Sequence, residues 1–186
     1  MSKQKFKLPT KSDLKGRSST ISNAFAISIT PWIKPTDREI EEFYKKLKIE
    51  KGKCAYCLGK GNSMDHLKPL VAKGLPTGYI TNINNLVPCC SACNSSKGNK
   101  DFCEWYLSAK NKERLLKEGL TNEQIAERYS IIMDFIKEVE NPLNYEEILG
   151  EELWNEYLRR KTKMLQELKE NQEFCNKLSA IISKKI

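Results

Sequence analysis

Histidine is all but missing from this chain: His66 stands alone among 186 residues. Any chemistry that needs an imidazole must use that one side chain. Long apolar runs are missing as well. No stretch approaches the ~20 residues that a membrane span requires, and the basic N-terminal residues are not followed by the apolar segment of a secretory signal. The expectation is a cytoplasmic protein without a membrane partner. Neither a solenoid-like internal repeat nor a low-complexity tract is present. Apolar content is low, 39 % against 30 % charged residues, so part of the chain is expected to be exposed helix or a loose tail.

Acidic residues are scarce in the first third. Residues 1–60 carry 14 Lys+Arg against 6 Asp+Glu, and residues 61–186 carry 18 of each, so the net charge of +8 (14 − 6) lies wholly before residue 61. A one-sided basic excess is the footprint of a polyanionic partner, most often nucleic acid; solubility alone is the competing explanation.

The chain divides into four stretches. Residues 1–23, with Lys3, Lys5, Lys7, Lys11, Lys15 and Arg17 and a Ser/Thr cluster, read as a flexible basic arm. Residues 24–52 open with an apolar segment that suits a short strand or a core-packing loop. A helix follows, started by the capping box Thr36-Asp37-Arg38-Glu39, with Ile40, Phe43, Tyr44 and Leu47 on one face and Gly52 as its stop. Residues 53–108 carry the motifs. Residues 109–186 are a helical extension, with a second capping box at Thr121–Gln124 and a last helix from about Tyr145 to Lys184, either continuous or broken near Gly150. The apolar stripe of that helix (Trp154, Leu158, Leu165, Leu168, Leu178, Ile182) is expected to pack on its own domain; a homodimer through these helices is the alternative.

Seven cysteines in a cytoplasmic chain point to metal before disulfides. Four of them form two Cys-x-x-Cys turns, Cys54/Cys57 and Cys90/Cys93, and each such turn delivers two soft thiolates to one ion. Four sulfurs close a tetrahedron and leave no open position, so the zinc ion expected here is structural. Cys89 lacks the spacing to Cys93, and Cys103 and Cys175 read as ordinary buried cysteines. Between the two pairs lies Asp65-His66. A carboxylate beside an imidazole suits phosphodiester hydrolysis, which needs a base for water and a divalent cation for the phosphate. Neighbouring side chains on a strand point to opposite faces, so both can serve one site only at a strand end or bulge. Asn94 offers a hard oxygen to Mg2+. Asn85 could brace the hairpin, and Lys97 and Lys100 stand where a phosphate would arrive.

Met64-Asp65-His66 followed by Asn85-Leu86-Val87-Pro88-Cys89-Cys90-Ser91-Ala92-Cys93-Asn94-Ser95-Ser96-Lys97-Gly98 resembles the HNH endonucleases of the ββα-metal superfamily, in the His-Asn-Asn variant with a four-cysteine zinc site. The resemblance covers roughly residues 53–104. It implies an α+β fold, mostly helical, around a central zinc-bound ββα-metal motif. It implies His66 as general base, Asp65 and Asn94 as ligands of one catalytic Mg2+ or Mn2+, Asn85 as the brace, Lys97 near the phosphate, and double-stranded DNA as substrate. A restriction or phage-defence nuclease is the preferred reading. A homing or phage-encoded nuclease, and a non-catalytic zinc-bound DNA-binding module, are the rivals.

Overall fold

The computed structural model describes residues 13–185. At its centre β1 (Ser63–His66) pairs antiparallel with β2 (Leu86–Cys89), setting Asp65 opposite Val87 and His66 opposite Leu86. Helix α3 (Ser91–Lys97) starts two residues after β2 and packs on β1. Strand, strand and helix form the expected ββα unit. Within the excursion between the two strands, Val71–Ala72 pairs with Leu75–Pro76 in a miniature hairpin. Its two-residue turn, Lys73-Gly74, has positive φ at both positions (51° and 75°), the combination that matches the twist of paired strands.

Helices wrap this unit. Helix α2 spans Asp37–Leu47 and α6 spans Asn122–Ile136, and both begin with the capping boxes expected from sequence, at Thr36/Glu39 and Thr121/Gln124. Each box satisfies two of the amides that a helix start leaves unpaired. Phe43 of α2 meets Phe135 of α6 edge-on at 5.6 Å, and Leu47, Ile125 and Ile132 are buried beside them. Arg128 of α6 is buried and donates to the Leu47 and Ala55 carbonyls, at 2.8 and 2.9 Å. It thereby fastens the end of α2 and the first Cys-x-x-Cys turn to one helix. Two short helices, α4 (Phe102–Tyr106) and α5 (Ala109–Lys117), complete the shell. Tyr56, Phe102, Trp105, Tyr106 and Tyr129 form one aromatic cluster.

Several elements depart from the sequence reading. Residues 1–12 of the basic arm lie outside the described residues, but Ser18–Ser28 is a helix, α1, and not a flexible segment or strand. Its partner is distant in sequence. Phe25 packs on Tyr157, and Leu14 is bonded to Gln172, both on α8 (Glu151–Ser183). A short, weakly amphipathic helix held by a segment about 130 residues away leaves no clear periodicity to read. Helix α2 ends at Leu47, because Lys48 adopts the left-handed cap conformation (φ 48°), and not at Gly52. The stretch 99–118, whose Phe102, Trp105, Tyr106, Leu115 and Leu116 read as one helix stopped by Gly119, is two helices, since Ser108 caps the start of the second. The Asn141-Pro142 pair reads as the stop of the helix that begins at the second capping box, but α6 already ends at Ile136. The break near Gly150 is present, between α7 (Tyr145–Leu149) and α8. Among the described residues no helix is long and apolar enough to cross a membrane.

Ile132 is fully buried where α6 meets the core. Ile132→Ala should lower the unfolding free energy by about 2–5 kcal/mol through lost burial and the cavity left behind. A denaturant titration should show a lower midpoint with an unchanged slope.

Candidate active site and metal centre

Two turns bring four sulfurs together. In the first, the Cys54 amide donates to the Gly59 carbonyl at 2.8 Å and the Leu58 amide to the Cys54 carbonyl at 2.9 Å, with Leu58 at positive φ (59°). In the second, Cys90 is the N-cap of α3, and its Sγ accepts the Cys93 amide at 3.4 Å. All four Sγ atoms lie within 4.8 Å of one another, and Cys57 Sγ and Cys90 Sγ are 3.8 Å apart. Sulfurs placed ~2.3 Å from a tetrahedral ion would be about 3.8 Å apart, so the cluster has the size to hold one. Proton chemistry agrees. The Cys54 thiol is held far below its usual value by hydrogen bonds from Cys57 and Cys93, whereas those two are pushed up, first by the same bonds to Cys54. Thiols this close cannot all ionise unless a cation joins them. Arg114 adds positive charge, with Nη2 3.3 Å from Cys93 Sγ and its guanidinium steadied by Asn111 and Glu118.

Extended backbone alternation sends Cys89, the one cysteine on β2, to the face opposite Cys90. Cys89 Sγ meets Ser63 Oγ at 3.1 Å, and burial raises its thiol to about 11. Cys103 packs on the Met133 sulfur. Cys175, expected to be buried, is exposed on α8.

Next to the cluster, β1 delivers Asp65 and His66. His66 is the last residue of the strand, which resolves the problem of opposite faces: both residues line one cavity of about 270 Å³, together with Met64, Val71 and Asn94. Asn23 and Ile27 of α1 close another side of it. Asp65 is buried. Its Oδ2 accepts the Tyr56 hydroxyl at 2.6 Å and pairs with Lys97 Nζ at 3.0 Å. Burial and the adjoining carboxylate raise the Tyr56 phenol well above its usual value, so it stays a donor. His66 Nε2 lies 3.0 Å from Thr81 Oγ1. Burial, aided by Lys97 and opposed by Asp65, lowers the imidazole below the usual histidine value; the ring is therefore mainly neutral at pH 7.

Asn85 is buried outside the cavity. Its Oδ1 accepts the Lys68 amide at 2.8 Å, and its Nδ2 donates to the Lys68 and Ile80 carbonyls at 3.1 and 3.0 Å. It clasps the chain leaving β1 to the chain returning toward β2. Asn94, on the face of α3 turned to β1, has Nδ2 3.3 Å from the Met64 carbonyl. Two lysines differ from expectation. Lys97 is 1 % exposed and donates to the His66 carbonyl at 2.7 Å as well as to Asp65; a side chain enclosed under the strand end cannot meet a phosphate directly. Lys100 is bonded to the Ser96 carbonyl at 2.7 Å, at the C-terminus of α3, and does not line the His66 cavity.

Residues 54–100 match the family model described as HNH endonuclease. That HNH region, about a quarter of the chain, contains all four clustered cysteines and Asp65, His66, Asn85 and Asn94. Among solved structures, the Type II-C Cas9 enzyme from Actinomyces naeslundii is similar at 17 % identity, over 59 % of this chain and 14 % of that one, with a TM-score of 0.30. A comparison with curated proteins finds no match.

The HNH region also uses partners that the sequence did not announce. Tyr56 sits inside the first Cys-x-x-Cys turn, and nothing local marks it as the donor to a carboxylate nine residues on. Thr81, 15 residues beyond His66, carries no signal either.

The cluster predicts about one tightly held transition-metal ion per chain. Elemental analysis of purified protein should find it, and Cys90→Ser should lower both the metal content and the melting temperature. A well-folded protein devoid of metal would exclude the centre.

Proposed function

We propose that this protein is a metal-dependent DNA endonuclease of the HNH type, acting in restriction or phage defence. One observation carries the reading: a strand end, a hairpin and a helix converge so that His66, Asp65 and Asn94 line a single open cavity. The four-cysteine cluster is read as a structural zinc site, since four thiolates fill the coordination sphere and leave no position for substrate.

In this reading His66 is the base. The tautomer this role requires has the proton on Nε2, donated to Thr81 Oγ1 3.0 Å away, so that the Nδ1 lone pair takes a proton from water. An imidazole lowered by burial is already deprotonated at neutral pH and can accept one. Asp65 and Asn94 would hold Mg2+ or Mn2+. Such an ion keeps several waters and needs only one or two protein oxygens besides the phosphate; Asp65 still has Oδ1 free of protein partners among the described residues, because Tyr56 and Lys97 both take Oδ2. When bound, the cation supplies charge neutralisation at the scissile phosphate and the leaving oxygen. Lys97 acts indirectly, fixing the Asp65 carboxylate and the His66 backbone. Asn85 keeps the two strands in register. Lys100 and the basic first third supply non-specific attraction to the phosphates. A DNA-binding module without catalysis would need neither the neutral imidazole nor the half-free carboxylate.

Purified protein with Mg2+ should cut plasmid DNA. His66→Ala should keep its fold and its metal content but lose roughly 10²–10⁴ in cleavage rate; an unchanged rate would exclude His66 as base. A subtler variant tests the imidazole's support. Thr81→Val should reduce kcat by about tenfold with KM little altered, and Thr81→Ser should restore it, because only the hydroxyl orients the ring. Equal kcat in all three proteins would show that Thr81 does not position His66.

A further inference from the structure

The connection from α1 to α2 reads Pro31-Trp32-Ile33-Lys34-Pro35. Trp32 is 75 % exposed and Ile33 54 %. An indole is usually one of the more buried side chains, and no described ring stacks on this one. The loop is nevertheless held firmly. The Ile33 amide donates to the Thr81 carbonyl at 2.8 Å, the Thr81 amide donates to the Pro31 carbonyl at 3.0 Å, and Trp32 forms a bridge with Thr81. A proline at either end fixes φ. An apolar tip is thus presented in one arrangement, with little left to order on binding.

Its anchor is also the residue that meets His66: Thr81 Oγ1 lies 3.0 Å from the imidazole. Ile27, half-exposed at the end of α1, carries apolar surface from this side into the cavity wall. Lys34 follows the tip, and Lys73 stands in the miniature hairpin whose Val71 lines the same cavity; both lysines are exposed. Three apolar side chains, Trp32, Ile33 and Ile27, are few beside the ~20–30 residues a side of a stable protein interface. A single nucleobase needs only one ring face, and the flanking cations suit its phosphates.

We infer that Trp32 is a DNA-docking wedge, stacking on or inserting beside a base next to the phosphate presented to His66. The inference rests on the nuclease reading and adds a specificity element to it. An aromatic or apolar side chain that parts a base step unstacks it and bends the duplex. Steps that unstack easily, such as TA and CA/TG, would be favoured next to the cut.

The test uses the full chain and a duplex that the wild type cuts, with binding measured in the absence of divalent cation. Trp32→Ala should raise Kd by about ten- to a hundredfold, the loss of one stacked base, with no change in the salt slope. Lys34→Ala should instead reduce that slope by up to about 0.9. Trp32→Phe should recover most of the affinity. A 2-aminopurine walked across the cut site should respond to wild-type binding at one step and not to Trp32→Ala. Unaltered Kd, KM and 2-aminopurine response in Trp32→Ala would overturn the wedge, as would a change in the sedimenting species, which would make Trp32 a self-association contact. His66→Ala separates the two readings. If it binds as wild type without cutting while Trp32→Ala is indifferent, the nuclease stands and the wedge falls. If wild type neither binds nor cuts duplex DNA, both fall.

Discussion

A lysine ammonium enclosed beneath a strand end is the constraint on which the rest of the site turns. Lys97 leaves the last turn of α3, crosses under β1 and meets both the Asp65 carboxylate and the His66 carbonyl. Taking two charges out of water costs several kcal/mol each, and only close geometry with further hydrogen bonds offsets it. Here the Tyr56 hydroxyl supplies one further bond. The outcome is less a gain in stability than a choice of conformation, since α3 cannot rotate or slide along β1 without stranding both charges. His66 is therefore fixed through its backbone from below and through its ring by Thr81 from the side.

The sulfur cluster does complementary work at the other end of the same helix. Cys90 caps α3 and Cys93 sits in its first turn, and both face Cys54 and Cys57 across a gap suited to one ion. The first Cys-x-x-Cys turn is in turn tied to α6 by Arg128 and roofed by the aromatic cluster, where the Tyr106 hydroxyl donates to the Tyr56 carbonyl at 3.0 Å. Residues far from the cavity thus decide where Asn94 can be. The helical shell, which carries none of the HNH motif beyond residue 100, is the mould that holds the motif.

Legibility in the sequence followed the locality of each interaction. Both capping boxes were readable because the bonds span three residues. The cysteine cluster was readable because each turn declares its spacing. The ββα order followed from the family resemblance around His66, Asn85 and Asn94. What escaped depends on contacts between distant segments. Helix α1 is held by α8 on one side and by the miniature hairpin on another, both distant in sequence. Thr81 is placed beside His66 by the excursion between the strands. Lys97 was expected at a phosphate because the family resemblance puts a basic residue there; nothing local reveals that β1 passes over it with a buried carboxylate.

Helix α3 has only seven residues, too few to persist unaided in water. Its N-cap and first turn carry two of the four sulfurs, and Asn94 and Lys97 follow in the rest of the helix. The two tasks cannot be uncoupled by sequence drift at one end alone, because whatever frays the sulfur end also releases the polar end. A chain whose four cysteines hold no ion would therefore lose the placement of Asn94 and Lys97 as well as stability, so the geometry of the cavity would depend on what the sulfurs bind as the protein folds.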